Sequence, residues 1–416
     1  MSTLDQDDGS VSVFIGNGQS LVLGSRSESL AAVPDDFDPT RLSVVYRAAG
    51  NDAVLPDGSL GGTIGGLLEF REQVLDPARS ALGQTALGLA LAFNEQHASG
   101  ADLNGDLGQT FFSVPSPAIQ VSSSNAGTGT ASATIADVGA TRSTDYVLTF
   151  DGANYSLNRR DNGQVVTMSG TGTALDPFVA DGLEIVVGGT PAAGDQIAIV
   201  GTRGVAADID VNISDPRELA AASPTRTRQG TNNIGSATIS APEVIDASDP
   251  NLLLPTTIQF VSTIAYRVNG AGPFPYTSGQ PIDVNGSRFT ITGETVAGDV
   301  FTLEPNAGGS GDNSNAVALA ALQSDGVFDG GTVSISDRYA DLVADVGNSA
   351  SQIRSNLDAQ TVLVENVEAD IAAKSGVNLD EEAADLIRFQ QAYEAAAQII
   401  AVTNTLFDTL LGAVRR

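Results

Sequence analysis

Few residues in this 416-residue chain could carry bond chemistry. The single histidine, His97, lies in FNEQHASG near the end of a helix-patterned stretch. Ser-His-Asp or Cys-His catalysis would have to use it, but a polar helix end favours an exposed cap or surface position. One histidine and no cysteine exclude multi-histidine zinc motifs, thiolate metal sites, disulfides and a catalytic Cys. Asp102-Leu103-Asn104-Gly105-Asp106 sets oxygen ligands at alternate positions, as a calcium loop begins. Leu107 then stands where the loop glycine belongs and Ser113 where a bidentate glutamate belongs, so a polar helix-to-strand turn is expected and no metal. Gly127-Thr128-Gly129 and Gly170-Thr171-Gly172 lack the strand-loop-helix context of a phosphate cradle. No cofactor is expected, and no nucleophile-base set for an enzyme appears. Two of the many carboxylates could meet as an acid-base pair, a geometry that sequence leaves open.

Fifty acidic against twenty basic residues give a net charge of -30, and Lys374 is the only lysine. Clustered cations are what phosphate contacts need, so no nucleic-acid partner is expected, and anionic membrane surfaces are disfavoured. A hydrophobic share of 42% with 17% charged residues fits a folded chain, and the length suggests two to four domains of roughly 100 to 200 residues. The first thirty residues carry no basic region followed by an apolar core. With no uninterrupted apolar run of about 18 residues either, neither a cleaved signal peptide nor membrane insertion is expected.

The elements follow from periodicity. Residues 1–58 read as strands and turns, with Val11, Val13 and Ile15 alternating before Gly16-Asn17-Gly18. A helical stripe then runs through Ile64, Leu68, Leu75, Ala78, Leu82 and Leu89 to Phe93, interrupted by Arg71 and Thr85. From about 113 to 310 the chain is rich in Gly, Thr, Ser and Val, with hairpins expected at Asp151-Gly152 and Asp161-Asn162-Gly163 and a short helix at Ser214-Asp215-Pro216. Within it DGLEIVVGGTPAAGDQIAI (181–199) and NGSRFTITGETVAGDVFTL (285–303) form an internal repeat with identical spacing of Asp181-Gly182 and Asn285-Gly286 to Gly194-Asp195 and Gly298-Asp299. Two copies of one small β-module are expected.

After Asn313 the pattern is helical. Ser336-Asp337 is expected to cap a helix with the seam Tyr339, Val343, Val346, Ala350, Ile353, Leu357, Gln360, Val364, Val367, Ile371. Lys374 to Val377 breaks it, and Asn378 with Glu381 starts a last helix whose seam is Leu379, Leu386, Phe389, Tyr393, Ala396, Ile400, Thr403, Phe407, Leu410, Val414. Narrow stripes demand partner helices, so the chain ends are expected to pair. The heptad spacing of Phe389, Tyr393 and Phe407 assigns them to packing rather than ligand stacking. The expected fold class is α+β multidomain, with long coiled-coil-like helices bracketing β-rich modules. Five segments are expected: 1–112 strands and helical domain, 113–223 first β-module, 224–310 second β-module and probable insertion, 311–374 returning helices, and 375–416 the C-terminal axial-core helix.

SGVNLDEEAADLIRFQQAYEAAAQIIAVTNTLFDTLLGAVR (375–415) closely resembles the C-terminal segment of the flagellar hook-associated protein 1 (FlgK) family. Residues 8–24, 65–112, 311–322 and 336–351 resemble successive parts of that family in order, and the likeness is weakest from about 224 to 310. The resemblance implies a structural subunit of the hook-filament junction, extracellular and exported without a cleaved signal. The implied partners are the hook protein, the second junction protein FlgL, an export chaperone and further copies in a ring. It also implies that Leu379, Leu386, Phe389, Tyr393, Ile400, Phe407, Leu410 and Val414 make subunit or chaperone contacts. Family members begin with a long helix and an N-x-x-N-x-x-T-P-G-Y-like motif that this sequence lacks, so Leu386, Phe389, Tyr393 and Ile400 are expected to be partly uncovered in this chain alone. Composition by itself leaves open a hook-like or flagellin-like filament subunit, or a surface β-domain that binds carbohydrate or protein.

Overall fold

The computed structural model describes residues 2–414 apart from 8, 17, 49, 308–310 and 376–378. It divides into two compact units, Met1–Val346 and Gly347–Arg416. The first unit opens with two antiparallel sheets. Ser2–Asp5, Val11–Ile15, Gln19–Leu23 and Arg26–Ser27 form one, and Ser29–Pro34, Leu42–Ala48 and Asn51–Val54 form the other. Gly16 and Gly18 take positive φ at the turn between Val11–Ile15 and Gln19–Leu23, whereas Asn17 lies outside the described residues.

The first helical stretch has three parts: α1 (Gly62–Phe70), a π-helical turn (Arg71–Leu75) and α2 (Asp76–Ala98). Pro77 has no N–H for an ordinary helical bond, and the Asp76 N–H donates to the Arg71 carbonyl five residues back. Thr85, which breaks the sequence stripe, is buried with Ser80, Gly83, Gln84, Leu87 and Gly88, while Ile64, Leu75, Leu82 and Leu89 face outward. Small residues are required on the buried face: a Cβ on Gly83 would overlap the Thr202 carbonyl, and one on Gly88 the Phe328 ring.

The repeat builds two sandwiches of the same topology. In the first, the sheet order is Val165–Val166, Tyr155–Arg159, Tyr146–Phe150, Gln196–Val200, Ala118–Val121, facing Thr130–Ile135, Leu183–Gly188 and Phe178–Ala180. In the second it is Ala271–Pro275, Ala265–Val268, Thr256–Ser262, Val300–Pro305, Thr225–Gln229, with Ser287–Thr292 central to the other sheet. Equivalent inward residues fill the two cores: Ile185 and Phe289, Ile197 and Phe301, Ile199 and Leu303. Asp181-Gly182 and Asn285-Gly286 all take positive φ, as a tight hairpin turn demands.

The correspondence reaches single hydrogen bonds. The Asp195 carboxylate accepts from the N–H groups of Ala192, Ala126 and Gly127, and Asp299 accepts from Val296, Ile234 and Gly235. Asn125 exchanges two bonds with the Gln196 backbone, as Asn233 does with Val300. Each aspartate closes one end of its sandwich by satisfying three backbone donors.

Between the modules Asp215 caps a 3-10 turn, Pro216–Glu218, by accepting from the Arg217 N–H at 3.0 Å. The remaining helices are α3 (Val205–Asp208), α4 (Ser314–Ala321), α5 (Ile335–Ser375) and α6 (Leu379–Val414).

Two expectations need correction. His97 is wholly buried, not exposed: its Nδ1 donates to Gln109 O at 2.7 Å and its Nε2 accepts from the Ala220 N–H at 3.0 Å, among Phe93, Phe111 and Phe112. These partners select the tautomer protonated on Nδ1. Its polar neighbours in sequence gave no sign of the aromatic segment that folds back over the helix end. The cap of α5 is Ser334 rather than Ser336: Ser334 Oγ donates to Asp337 Oδ2 at 2.7 Å and accepts from the Asp337 N–H at 3.1 Å. The Asn378 cap lies outside the described residues.

The second module enters and leaves at one place. Asn306 donates from its backbone N–H to Pro224 O at 2.8 Å and from Nδ2 to Ser223 O at 2.9 Å. Replacing residues 225–305 with a short glycine linker is therefore expected to leave the rest folded, with a single cooperative thermal transition followed by circular dichroism. Loss of that transition would make the module integral to the unit.

Candidate interaction surface and ionic cluster

The candidate contact residues sit on α6, which belongs to the Gly347–Arg416 unit. Leu386, Phe389, Tyr393 and Ile400 are 67, 66, 78 and 62% exposed, and Phe407 and Leu410 are exposed likewise. The side chains of Leu379 and Val414 lie outside the described residues. Sequence reasoning missed a second set: Ile387, Ile399, Val402, Leu406 and Leu411 are exposed too. Neighbours in a helix point about 100° apart, so the pairs 386/387, 399/400, 406/407 and 410/411 spread the apolar surface beyond one seam. Those adjacent pairs were the available signal.

The polar residues on this helix do little to oppose burial. Thr403, Thr405 and Thr409 turn their hydroxyls back to the carbonyls of Ile399, Ala401 and Thr405. Covering each large apolar side chain is worth about 1.5 to 3 kcal/mol. In α5 the described part of the seam is exposed as well, including Leu357, Val364 and Val367.

A different arrangement lies in the first unit, where the question of paired carboxylates is answered. A cleft of about 520 Å³ is lined by Arg41, Arg71, Glu72, Asp76, Asp145, Arg160 and Arg203, among others. Arg41 grips Asp76 with two bonds, 2.6 and 2.9 Å, and Arg203 Nη1 lies 3.1 Å from both Asp76 Oδ2 and Asp145 Oδ2. Burial alone would raise the Asp76 pKa, but the Arg41 hydrogen bonds and the charges of Arg203, Arg41 and Arg71 hold that carboxyl below its ordinary value. At Asp145 burial prevails over Arg203 and Arg160, and the carboxyl is pushed up. Its Oδ1 has no hydrogen-bond partner among the described residues. Divergent carboxyl pKa values in a cleft are a hallmark of acid-base sites. Here both groups converge on one guanidinium, so the cluster works as a clasp between α2 and the first module.

The calcium-like turn is likewise closed on itself. Asp102 accepts from the N–H groups of Asn104 and Asp106 and from Asn104 Nδ2. Among the described residues, no three acidic or histidine side chains are grouped to hold a metal.

The candidate site residues are thus a run of exposed apolar side chains along one long helix. Family models agree in order along the chain: "Flagellar hook-associated protein FlgK helical domain" matches residues 1–112, "Flagellar hook-associated protein 1, D2-like domain" 121–200 and "Flagellar basal body rod FlgEFG protein C-terminal" 372–413. Flagellar hook-associated protein 1 of Escherichia coli K12 is 32% identical over 409 residues, 98% of this chain, and that of Salmonella typhimurium LT2 is 33% identical over 410. The chain spans 59% and 60% of the length of those two curated relatives. A solved structure of the flagellar hook junction protein FlgK from Burkholderia pseudomallei is similar with a TM-score of 0.80 and 31% identity, over 91% of this chain and 75% of that one. The chain belongs to the flagellar hook-associated protein 1 family.

The clasp is testable. Asp76 has a folded pKa below its unfolded one, so its stabilisation is present at neutral pH and lost as pH falls through the depressed value, below about pH 4. Asp145 has the opposite sign: ionisation costs stability at neutral pH, and the cost is relieved as pH falls through the raised value. Asp76→Asn is expected to lose on the order of 2 to 4 kcal/mol in urea unfolding at pH 7, because Arg41 loses its two-bond grip and keeps only Asp38, and Arg203 keeps only Asp145. Asp145→Asn, which leaves the Asp76 pairings intact, is expected to change stability by less than about 1 kcal/mol at pH 7 and to compare less favourably with wild type in acid. Equal losses at neutral pH would contradict this ordering.

Proposed function

We propose that this chain is a structural, non-enzymatic subunit of the bacterial flagellum that joins hook to filament. Membership of the hook-associated protein 1 family supports the reading, and the observation that carries it is the apolar surface of α6, exposed from Glu382 to Gly412 with only Asp385 partly covered. That surface is offered to subunit neighbours and, before assembly, to an export chaperone, through Leu386, Phe389, Tyr393, Ile400, Phe407 and Leu410, with Leu379 and Val414 extending it. The partners on this reading are the hook protein, the second junction protein FlgL and further copies in a ring. The place of action is extracellular, reached by export without a cleaved signal.

On the same reading α5 and α6 enter a coiled-coil core that brackets the β-modules, and the domain limits fall near 112, 223, 310 and 374. By length and composition α6 is long and apolar enough to cross a membrane over Glu382–Gly412. Asp385, Arg388, Glu394 and Asp408 punctuate it at every few turns, which suits a helix bundle better than a lipid core.

Deleting the gene is expected to leave hooks intact while filament subunits are shed into the medium; normal filaments would refute the assignment. Truncating residues 379–416 is expected to abolish chaperone capture in a pull-down. Unchanged capture would place that contact elsewhere on the chain.

A further inference from the structure

The two β-modules share a fold but not an attachment. The first is fastened along its flank: the Ser122 and Ser123 hydroxyls donate to Asp36, Gln84 Nε2 donates to Thr141 O, Thr202 Oγ1 donates to Ser80 O at 2.7 Å, and Arg203 pairs with Asp76. For residues 225–305, the hydrogen bond from Ser223 Oγ to Thr225 O, 2.8 Å, is the one such link to the rest of the Met1–Val346 unit among the described residues. The second module therefore hangs from the point where Ser223 and Pro224 meet Asn306.

A groove of about 810 Å³ is lined by both the second module and α2. The turn Val244–Ser248 lines one part, α2 from Gly88 to Ala98 with Ser99 another, and Ala136–Gly139 of the first module with Leu322 and Asp325–Val327 the rest. That turn is the counterpart of one in the first module. The N–H groups of Ala136 and Asp137 donate to Gly182 O at 2.9 and 3.1 Å, and those of Ile245 and Asp246 donate to Gly286 O at the same two distances. In the first module the chain leaving this turn is seated on α2, with Gln84 bonded to Thr141. In the second the same turn lines the groove together with α2, and among the described residues no hydrogen bond joins the two. Glu95, Asp137, Asp246 and Asp325 line the groove, and no Lys or Arg does. Their mutual repulsion opposes closure and is screened by salt, with a Debye length of about 10 Å at 0.1 M.

We propose that the second β-module is a hinged arm, pivoting at Ser223–Pro224 and Asn306, that closes the groove by seating its Val244–Ser248 turn on α2 as the first module already does. Ala92 on α2 and Ala247 on the turn are the small residues that line the groove from its two sides. Repulsion among the four carboxylates sets the open state, and salt favours the closed one.

The chain has no cysteine, so paired labels can be placed in the full-length protein without background. Nitroxides at Leu89→Cys with Ala247→Cys report the arm, and Leu89→Cys with Ala136→Cys reports the fastened module, both by pulsed electron resonance after circular dichroism confirms folding. The arm pair is expected to give a distance distribution at least about twice as broad as the control, in keeping with hinge motion. Its mean should shorten on raising salt from about 0.05 to 0.5 M and on Asp325→Asn, with the control unmoved. An arm distribution as narrow as the control, or a mean that answers neither to salt nor to Asp325→Asn, overturns the proposal.

Discussion

How closely backbone can approach α2 decides what the Met1–Val346 unit can be. Gly83 admits the Thr202 carbonyl, Gly88 admits the Phe328 ring, and just past the helix Gly100 admits Ala220 O and the Asn315 amide. Contacts that tight leave little volume, so apart from Leu87 the buried face of α2 is made of small or polar residues, Ser80, Gly83, Gln84, Thr85, Gly88, Ala90 and His97. Buried polar groups cost stability unless each finds a partner. Gln84, Ser80 and His97 do so with Thr141, Thr202, Gln109 and Ala220. Directional bonds of this kind admit one docking angle, where a greasy face would tolerate several. The same choice turns Leu75, Leu82 and Leu89 outward and keeps them available to neighbours.

The repeated module solves a recurring problem at the end of a sandwich, where strands stop and backbone donors would be orphaned. One aspartate and one asparagine, at 195 and 125 and again at 299 and 233, close that end with the same set of bonds. Core side chains were free to change in size, from Ile185 to Phe289 and Ile197 to Phe301, because the closing bonds do not depend on them. Attachment was free to change for the same reason. The clasp of Asp36 and Asp76 belongs to residues outside the repeat, so a second copy of the fold carries no copy of the fastening.

What could be read from sequence was whatever repeats along the chain. Turn positions at Asp181-Gly182 and Asn285-Gly286 were legible because positive φ restricts the residue types, and the α6 seam was legible because period 3.6 survives without knowledge of partners. Contacts between distant residues left no such trace. Asp76 and Arg203 are 127 positions apart, and nothing near either one marks the other. His97 failed for a related reason, since its burial depends on Phe111 and Ala220 rather than on its own helix. The capping residue of α5 was misplaced by two positions because Ser334 and Ser336 are equivalent in pattern and differ only in which hydroxyl meets Asp337.

Charge and exposed apolar surface are unevenly divided along the chain. A net charge of -30 keeps copies apart in solution through long-range repulsion. Between Ala395 and Phe407 helix α6 carries no charged side chain, and its exposed apolar residues there occupy more than one face, so repulsion is weakest along that stretch. Repulsion falls off over a Debye length, whereas apolar burial acts only on contact. On the proposed reading, copies in free solution meet the repulsion first, and copies held against one another meet the apolar surface. A helix with a single seam would be satisfied by one partner, but the doubled pairs at 399/400, 406/407 and 410/411 need neighbours on several sides before burial is complete. On the proposed reading, association through α6 is weak for a pair and strong for a surrounded helix.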